Sequence, residues 1–267
     1  MNIFLYELKS LRKSMLLWTL SILALAALYL SIFPSMAKDA EEFKQLLASY
    51  PPAIRAMLGI NLDYITSLLG FYSMIFTFII LCGAIQAMNL GVSILSKESR
   101  ERTADFLLVK PVSRSVIVSA KLLAAVVTLV ITNIIFLSLS TLLVTLEDSQ
   151  NFSLKLFILI NLTMFFVQLI FIAIGMLVSL FFKKIKNVLP ISLGVVFGFY
   201  LIGTLLITDP SNKAERILSP FKYFDITYII NNGRYEPFYL IVSAVIIAAA
   251  ITCSYILYNR KDIHAVS

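Results

Sequence analysis

Ser96-Lys97-Glu98-Ser99-Arg100-Glu101-Arg102-Thr103-Ala104-Asp105-Phe106-Leu107-Leu108-Val109-Lys110-Pro111-Val112-Ser113-Arg114 is the most polar long stretch of a very apolar chain. Extended to Lys121 it holds six basic and three acidic residues. Before it, Tyr64 to Leu95 carries no charge; after it, Leu122 to Leu146 carries none either. Two uncharged runs that long, separated by a charged hinge, read as membrane-crossing helices joined by an elbow in water.

Composition agrees. The 267 residues are 60% hydrophobic and 14% charged, whereas an ordinary soluble domain is about 45–50% apolar and about 25% charged. A soluble fold of this size cannot hide that much apolar surface, so lipid must be the solvent for much of the chain. In such a protein the net charge of +7 concerns loop topology and anionic lipid. No stacking platform or basic aromatic motif supports nucleic-acid binding. Cys82 and Cys253 lie in apolar segments without metal-ligand spacing and read as two small buried hydrophobes. A lone His264 leaves a histidine-based metal or catalytic site almost nothing to work with.

Working outward from the elbow, six spans emerge, at about 15–33, 65–95, 122–146, 156–182, 188–208 and 237–258. The fold class is all-α integral membrane. Met1 to Ser14, with Glu7, Lys9, Arg12 and Lys13 among apolar residues at roughly helical spacing, reads as an amphipathic interfacial helix or as the basic flank of the first span. A charged start, an apolar run and Ser35-Met36-Ala37 imitate a signal peptide, but the run is long for one and five more spans follow. Ala40 to Tyr50 is a candidate short helix ended by Pro51-Pro52. The second uncharged run, about 48 Å long as a helix, exceeds the hydrocarbon thickness and should tilt or project. Gly70, Gly83 and Gly91 offer close helix contact or a bend. Gly194-x-x-x-Gly198 suits packing within the chain, a dimer contact, or nothing at all. Tyr223, Phe224, Tyr228, Tyr235 and Phe238 are rings suited to a membrane interface.

Six spans place both ends on one side. The N-terminus, the elbow, the Lys183–Lys186 connection and the tail hold fourteen basic and five acidic residues; the other three loops hold eight and ten. The basic side, with both termini, should be cytoplasmic.

No Asp, Glu, Lys or Arg sits in the middle of a span. Ion-coupled carriers and voltage sensors keep ionisable groups at membrane depth, so the energy should come from outside this chain, and any pore would be lined by Asn, Gln, Ser, Thr and aromatic groups. A phosphate-binding G-x-x-x-x-G-K-[ST] loop is absent. The elbow offers what an externally driven protein needs. Glu98 and Arg102 can pair across one helical turn, with Glu101 and Asp105 on a neighbouring face. Phe106 to Val109 form an apolar plug, Pro111 breaks the helix, and Ser113 can cap the next one. A partner could grip such an element; equally, its charges could only fix topology.

The elbow pattern Ser96-x-Glu98…Glu101…Thr103-x-x-x-Leu107-Leu108-x-x-Pro111-Val112-Ser113-Arg114, with Lys121 opening the third span, resembles the permease subunits of ABC type-2 transporters. Arg102-Thr103 takes the place of that family's Gly-Thr or Arg-Thr pair. Leu218-Ser219-Pro220-Phe221 and Arg260 to Ile263 agree, as do the N-terminal stretch and the six spans, so the resemblance covers nearly the whole chain.

The resemblance implies a type V exporter fold, in which two permeases, identical or related, pair above two ATPase subunits. The elbow would be the cytoplasmic coupling helix, with Glu98, Arg100, Glu101, Arg102, Thr103, Phe106, Leu107 and Leu108 meeting the ATPase. This chain would be no enzyme and carry no cofactor, since ATP and magnesium would sit on the partner; membrane lipids would be its other partners. The expected setting is a bacterial plasma membrane and the expected cargo amphipathic or hydrophobic: a peptide, antibiotic or lipid. The competing expectation is a non-transporting anchor or sensor that recruits a cytoplasmic enzyme through the same elbow.

Overall fold

The computed structural model describes residues 3–101, 113–147, 153–182, 185–206 and 212–260. Every described element is helical, and six helices are long and apolar enough to cross a membrane. The chain begins with α1 (Ile3–Leu30), followed by the short α2 (Phe33–Lys38), α3 (Ala40–Ala48) and α4 (Pro52–Met57). Three long helices follow: α5 (Leu68–Glu101), α6 (Arg114–Glu147) and α7 (Leu154–Phe181). Next, α8 (Leu189–Leu201) runs on as a π-helical turn, Ile202–Leu206. The short α9 (Lys213–Arg216), a 3₁₀ turn at Pro220–Lys222 and α10 (Ile226–Asn232) lead to α11 (Pro237–Arg260).

The helix starts use ordinary capping chemistry. Ser67 accepts from the Gly70 amide at 3.1 Å, Ser153 from Leu156 at 3.5 Å and Asp225 from Thr227 at 2.8 Å. Proline opens α4 and α11, where its missing N–H costs nothing.

The uncharged run is the centre of the molecule. In its most apolar stretch α5 has 72% of its residues buried, against 22% for α1 and 17% for α11. Its principal partner is α7; α1 packs on α6, α11 lies along α7, and α8 meets α5. Glycine sets the closest approach of α5 and α7. A Cβ on Gly91 would collide with the Ile172 carbonyl, and one on Gly175 would lie 2.8 Å from the Met88 carbonyl oxygen. Higher up, Tyr72 stacks obliquely on Phe157 with ring centres 4.7 Å apart, and its hydroxyl donates to Asn161 Oδ1 at 2.8 Å.

Several boundaries and environments differ from the sequence reading. Residues 3–14 are helical but run unbroken into the first span. The third long helix starts at Arg114, just after the Ser113 cap that the sequence offers. Ser113 sets that start by accepting from the Val116 amide at 3.4 Å. Lys121 lies inside this helix, where its ammonium donates to the Ile94 carbonyl at 3.0 Å, a built-in partner for a buried cation. Tyr223 and Phe224 face inward and are buried, because the segment carrying them folds back onto α7 and α11. Cys253 is exposed on the bundle surface, and Cys82 is only half-buried. Nothing lies within 4 Å of a Cβ built at Gly194 or Gly198, so this pair packs against no described part of its own chain.

Candidate functional site

One end of the bundle collects the basic residues. Lys97, the first charge after the uncharged run, binds Glu7 Oε2 at 2.9 Å and Ser10 Oγ at 3.2 Å, and sits 5.8 Å above the Tyr6 ring. Glu7 is buried although it lies in the second turn of α1. The same end holds the Lys121–Ile94 contact and a 2.7 Å hydrogen bond between Ser119 and the Tyr255 hydroxyl. The opening of α1, the exit of α5, the opening of α6 and the end of α11 are therefore tied together here.

Glu98, Arg100 and Glu101 lie in the last turns of α5, so the central helix carries straight into the elbow. The Arg100 side chain faces a hollow that it shares with Lys186. Arg102, Thr103, Phe106, Leu107 and Leu108 lie outside the described residues. The two ends of the elbow are defined by the exit of α5 at Glu101 and the Ser113 cap of α6. The sequence reading missed the Glu7–Lys97 pair. Its signal was present: the only acid in an otherwise basic start, and the first cation after a long uncharged helix.

Midway along the bundle the intramembrane amides hold one another. Gln168 donates to Gln86 Oε1 at 3.2 Å and accepts from Asn133 Nδ2 at 2.6 Å. Gln86 donates to Thr132 at 3.3 Å, and Thr19 donates to Thr132 at 3.2 Å. This chain of contacts joins α1, α5, α6 and α7. Gln86 and Gln168 are 1% and 0% exposed, so within this chain they hold helices together.

The opposite end carries the long loops, which clasp each other. Asn61 donates to Thr227 at 3.2 Å, the Tyr64 hydroxyl donates to Asn231 Oδ1 at 2.6 Å, and the Tyr200 hydroxyl donates to the Met57 carbonyl. Arg216 braces the second loop: it binds Glu236 at 2.7 Å and the Lys222 carbonyl at 3.0 Å, and covers the Tyr239 ring at 4.2 Å. Beneath the clasp is a cavity of about 610 Å³, with Ser73 and Thr77 of α5, Tyr200 and Thr204 of the fifth span, and the charged Arg55 and Lys222 on its walls. Arg55 Nε is buried there without a hydrogen-bond partner among the described residues. Burial pushes the Lys222 ammonium below its ordinary value, opposed by nearby Asp225. A cavity of this size with mixed apolar and charged walls has the dimensions of a small-ligand site.

A bundle of six membrane helices, centred on one that leads into the elbow, is the architecture expected of a transporter's membrane subunit. The chain belongs to the ABC-2 family of transporter proteins: the family model described as "ABC-2 family transporter protein" matches residues 1–263, almost the full length. It is therefore a multi-pass membrane component of an ABC transporter, a permease-type chain distinct from the ATPase. No curated protein matches it.

Proposed function

We propose that this chain is the permease of an ATP-driven exporter, paired with a second permease and driven by a separate ATPase that grips the elbow through Glu98, Arg100, Glu101, Arg102, Thr103, Phe106, Leu107 and Leu108. The observation that carries the reading is the position of α5. It is the most buried helix, it packs on α7 throughout, and it runs directly into the elbow. Force that reaches the exit of α5 at Glu101 passes to the bundle core along one unbroken helix. The Glu7–Lys97 pair and the Lys121–Ile94 contact spread that motion to the first and third spans.

At the far end, the clasped loops border a half-open cavity, and export requires them to part further when α5 moves. The cavity walls combine Phe221, Phe224 and Ile80 with Arg55, Lys222, Asp63 and Asp225. That mixture supports an amphipathic cargo over a purely apolar one. The basic end faces the cytoplasm of a bacterial cell, as the charge asymmetry favours.

The test is reconstitution with the partner ATPase. Glu101→Ala/Arg102→Ala should abolish transport and transport-stimulated ATP hydrolysis while membrane insertion stays normal. Undiminished transport in that double variant would sink the coupling assignment.

A further inference from the structure

At the basic end, α5 presents a polar stripe to the connection that follows α7. Asn89, Ser93 and Arg100 lie at i, i+4 and i+11, so they share one face of the helix. Lys186, Asn187 and Leu189 lie across from that stripe, and between the two is a hollow of about 490 Å³. Two cations from separate elements thus line one concave space, and none of the described side chains that line it is a carboxylate. Among the described side chains, which do not include those of Glu98 and Glu101, neither Arg100 nor Lys186 has an ion-pair partner. Like charges facing one hollow are unfavourable unless an anion lies between them.

The surroundings narrow the anion. Arg100 to Asn89 spans about 16 Å along the helix, so the hollow runs from the bundle end well into the depth of the membrane segment. Its rim is apolar on one side: Leu189 is 48% exposed, and Pro190 is exposed beside it. A soluble anion has no use for that rim, whereas an acyl chain does. We propose that this hollow binds the phosphate-bearing headgroup of an anionic phospholipid, with Arg100 and Lys186 on the phosphate, Asn187 and Ser93 on the polar headgroup, and the acyl chains along Leu189 and Pro190. Basic pockets between helices at the charged end of membrane proteins hold lipid headgroups for the same electrostatic reason. The site lies beside the exit of α5, so an occupant there steadies the helix that enters the elbow. It does not depend on the exporter reading, and it takes Arg100 out of the set of residues that would meet the ATPase.

The test is native mass spectrometry of the full chain in neutral detergent, offered equal amounts of phosphatidylglycerol and phosphatidylcholine with the same acyl chains. The wild type should retain phosphatidylglycerol preferentially. Arg100→Gln/Lys186→Gln should reduce that preference by about thirty-fold, the combined effect of two cations near a lipid phosphate. Asn187→Asp, a change of nearly constant size that places a carboxylate on the hollow, should act in the same direction and keeps the test open if the double substitution does not fold. Lys9→Gln/Lys13→Gln, which removes charge elsewhere at the same end, should leave the preference intact. An unchanged preference in both hollow variants would overturn the proposal, as would an equal loss in the Lys9/Lys13 variant. Full displacement of the lipid by millimolar glycerol phosphate would also overturn it, assigning the hollow to a soluble phosphate.

Discussion

Glu7 and Lys97 are the side chains on which the basic end depends most. Each is largely removed from water, so removing one strands the other. Glu7→Gln should lower stability by about 1–2 kcal/mol, less than for a fully buried pair because both groups keep some solvent. Glu7→Gln/Lys97→Met should recover part of that loss, which thermal melts of the four proteins of the cycle would measure. Burial pushes the Tyr223 hydroxyl up to about 12, and that hydroxyl donates to the Ile217 carbonyl at 2.7 Å. The unfolded chain gives up this proton near pH ~10, so the contribution is complete below that and is lost as pH rises towards ~12. Tyr223→Phe should therefore cost about 1 kcal/mol at neutral pH and show a flatter fall in melting temperature between about pH 9 and about pH 11 than the wild type. Little of this was legible in the sequence. Tyr223 reads as an interfacial ring because nothing in a list of residues says that the segment carrying it folds back over Tyr239.

Among the elements, α5 was the most legible and its neighbours less so. A run of residues without charge from Tyr64 to Leu95 announces a membrane-crossing helix directly, but not that it is the buried centre. The start of α6 was legible in its Ser113 cap, whereas the approach to the first span stayed open between an interfacial helix and a basic flank. Lys121 and Glu7 each have a partner supplied by another helix, and a sequence read one segment at a time cannot supply that partner. Glycine spacing showed where α5 approaches a neighbour but not which one. The crossing predicts that Gly175→Val forces backbones apart at Met88 and Val92 and destabilises the protein by about 3 kcal/mol, the upper part of the range for overpacked cores. Gly194→Val, on open surface, should leave the melting temperature of the isolated chain unchanged. The amide network makes a gentler prediction. Gln168→Leu should cost about 1 kcal/mol, and Gln86→Leu/Gln168→Leu less than the sum of its parts, as membrane hydrogen bonds are individually weak and these two share a contact.

At the scale of the whole molecule, the charge map, the six spans and the family agree on a transporter's membrane component. One long buried helix joins an end tied together by charged contacts to an end where the long loops clasp each other. On the proposed function, a chain with no ionisable group at mid-membrane is driven by work that enters at the elbow and travels along α5. The central claim is that an ATPase grips that elbow, and recovery of the tagged chain from its own membranes in mild detergent, with mass spectrometry of whatever accompanies it, tests this most directly. An ATP-binding-cassette protein should accompany the wild type and be lost from Glu101→Ala/Arg102→Ala. Recovery of the ATPase undiminished with that variant, or of a different cytoplasmic enzyme in its place, would contradict the account.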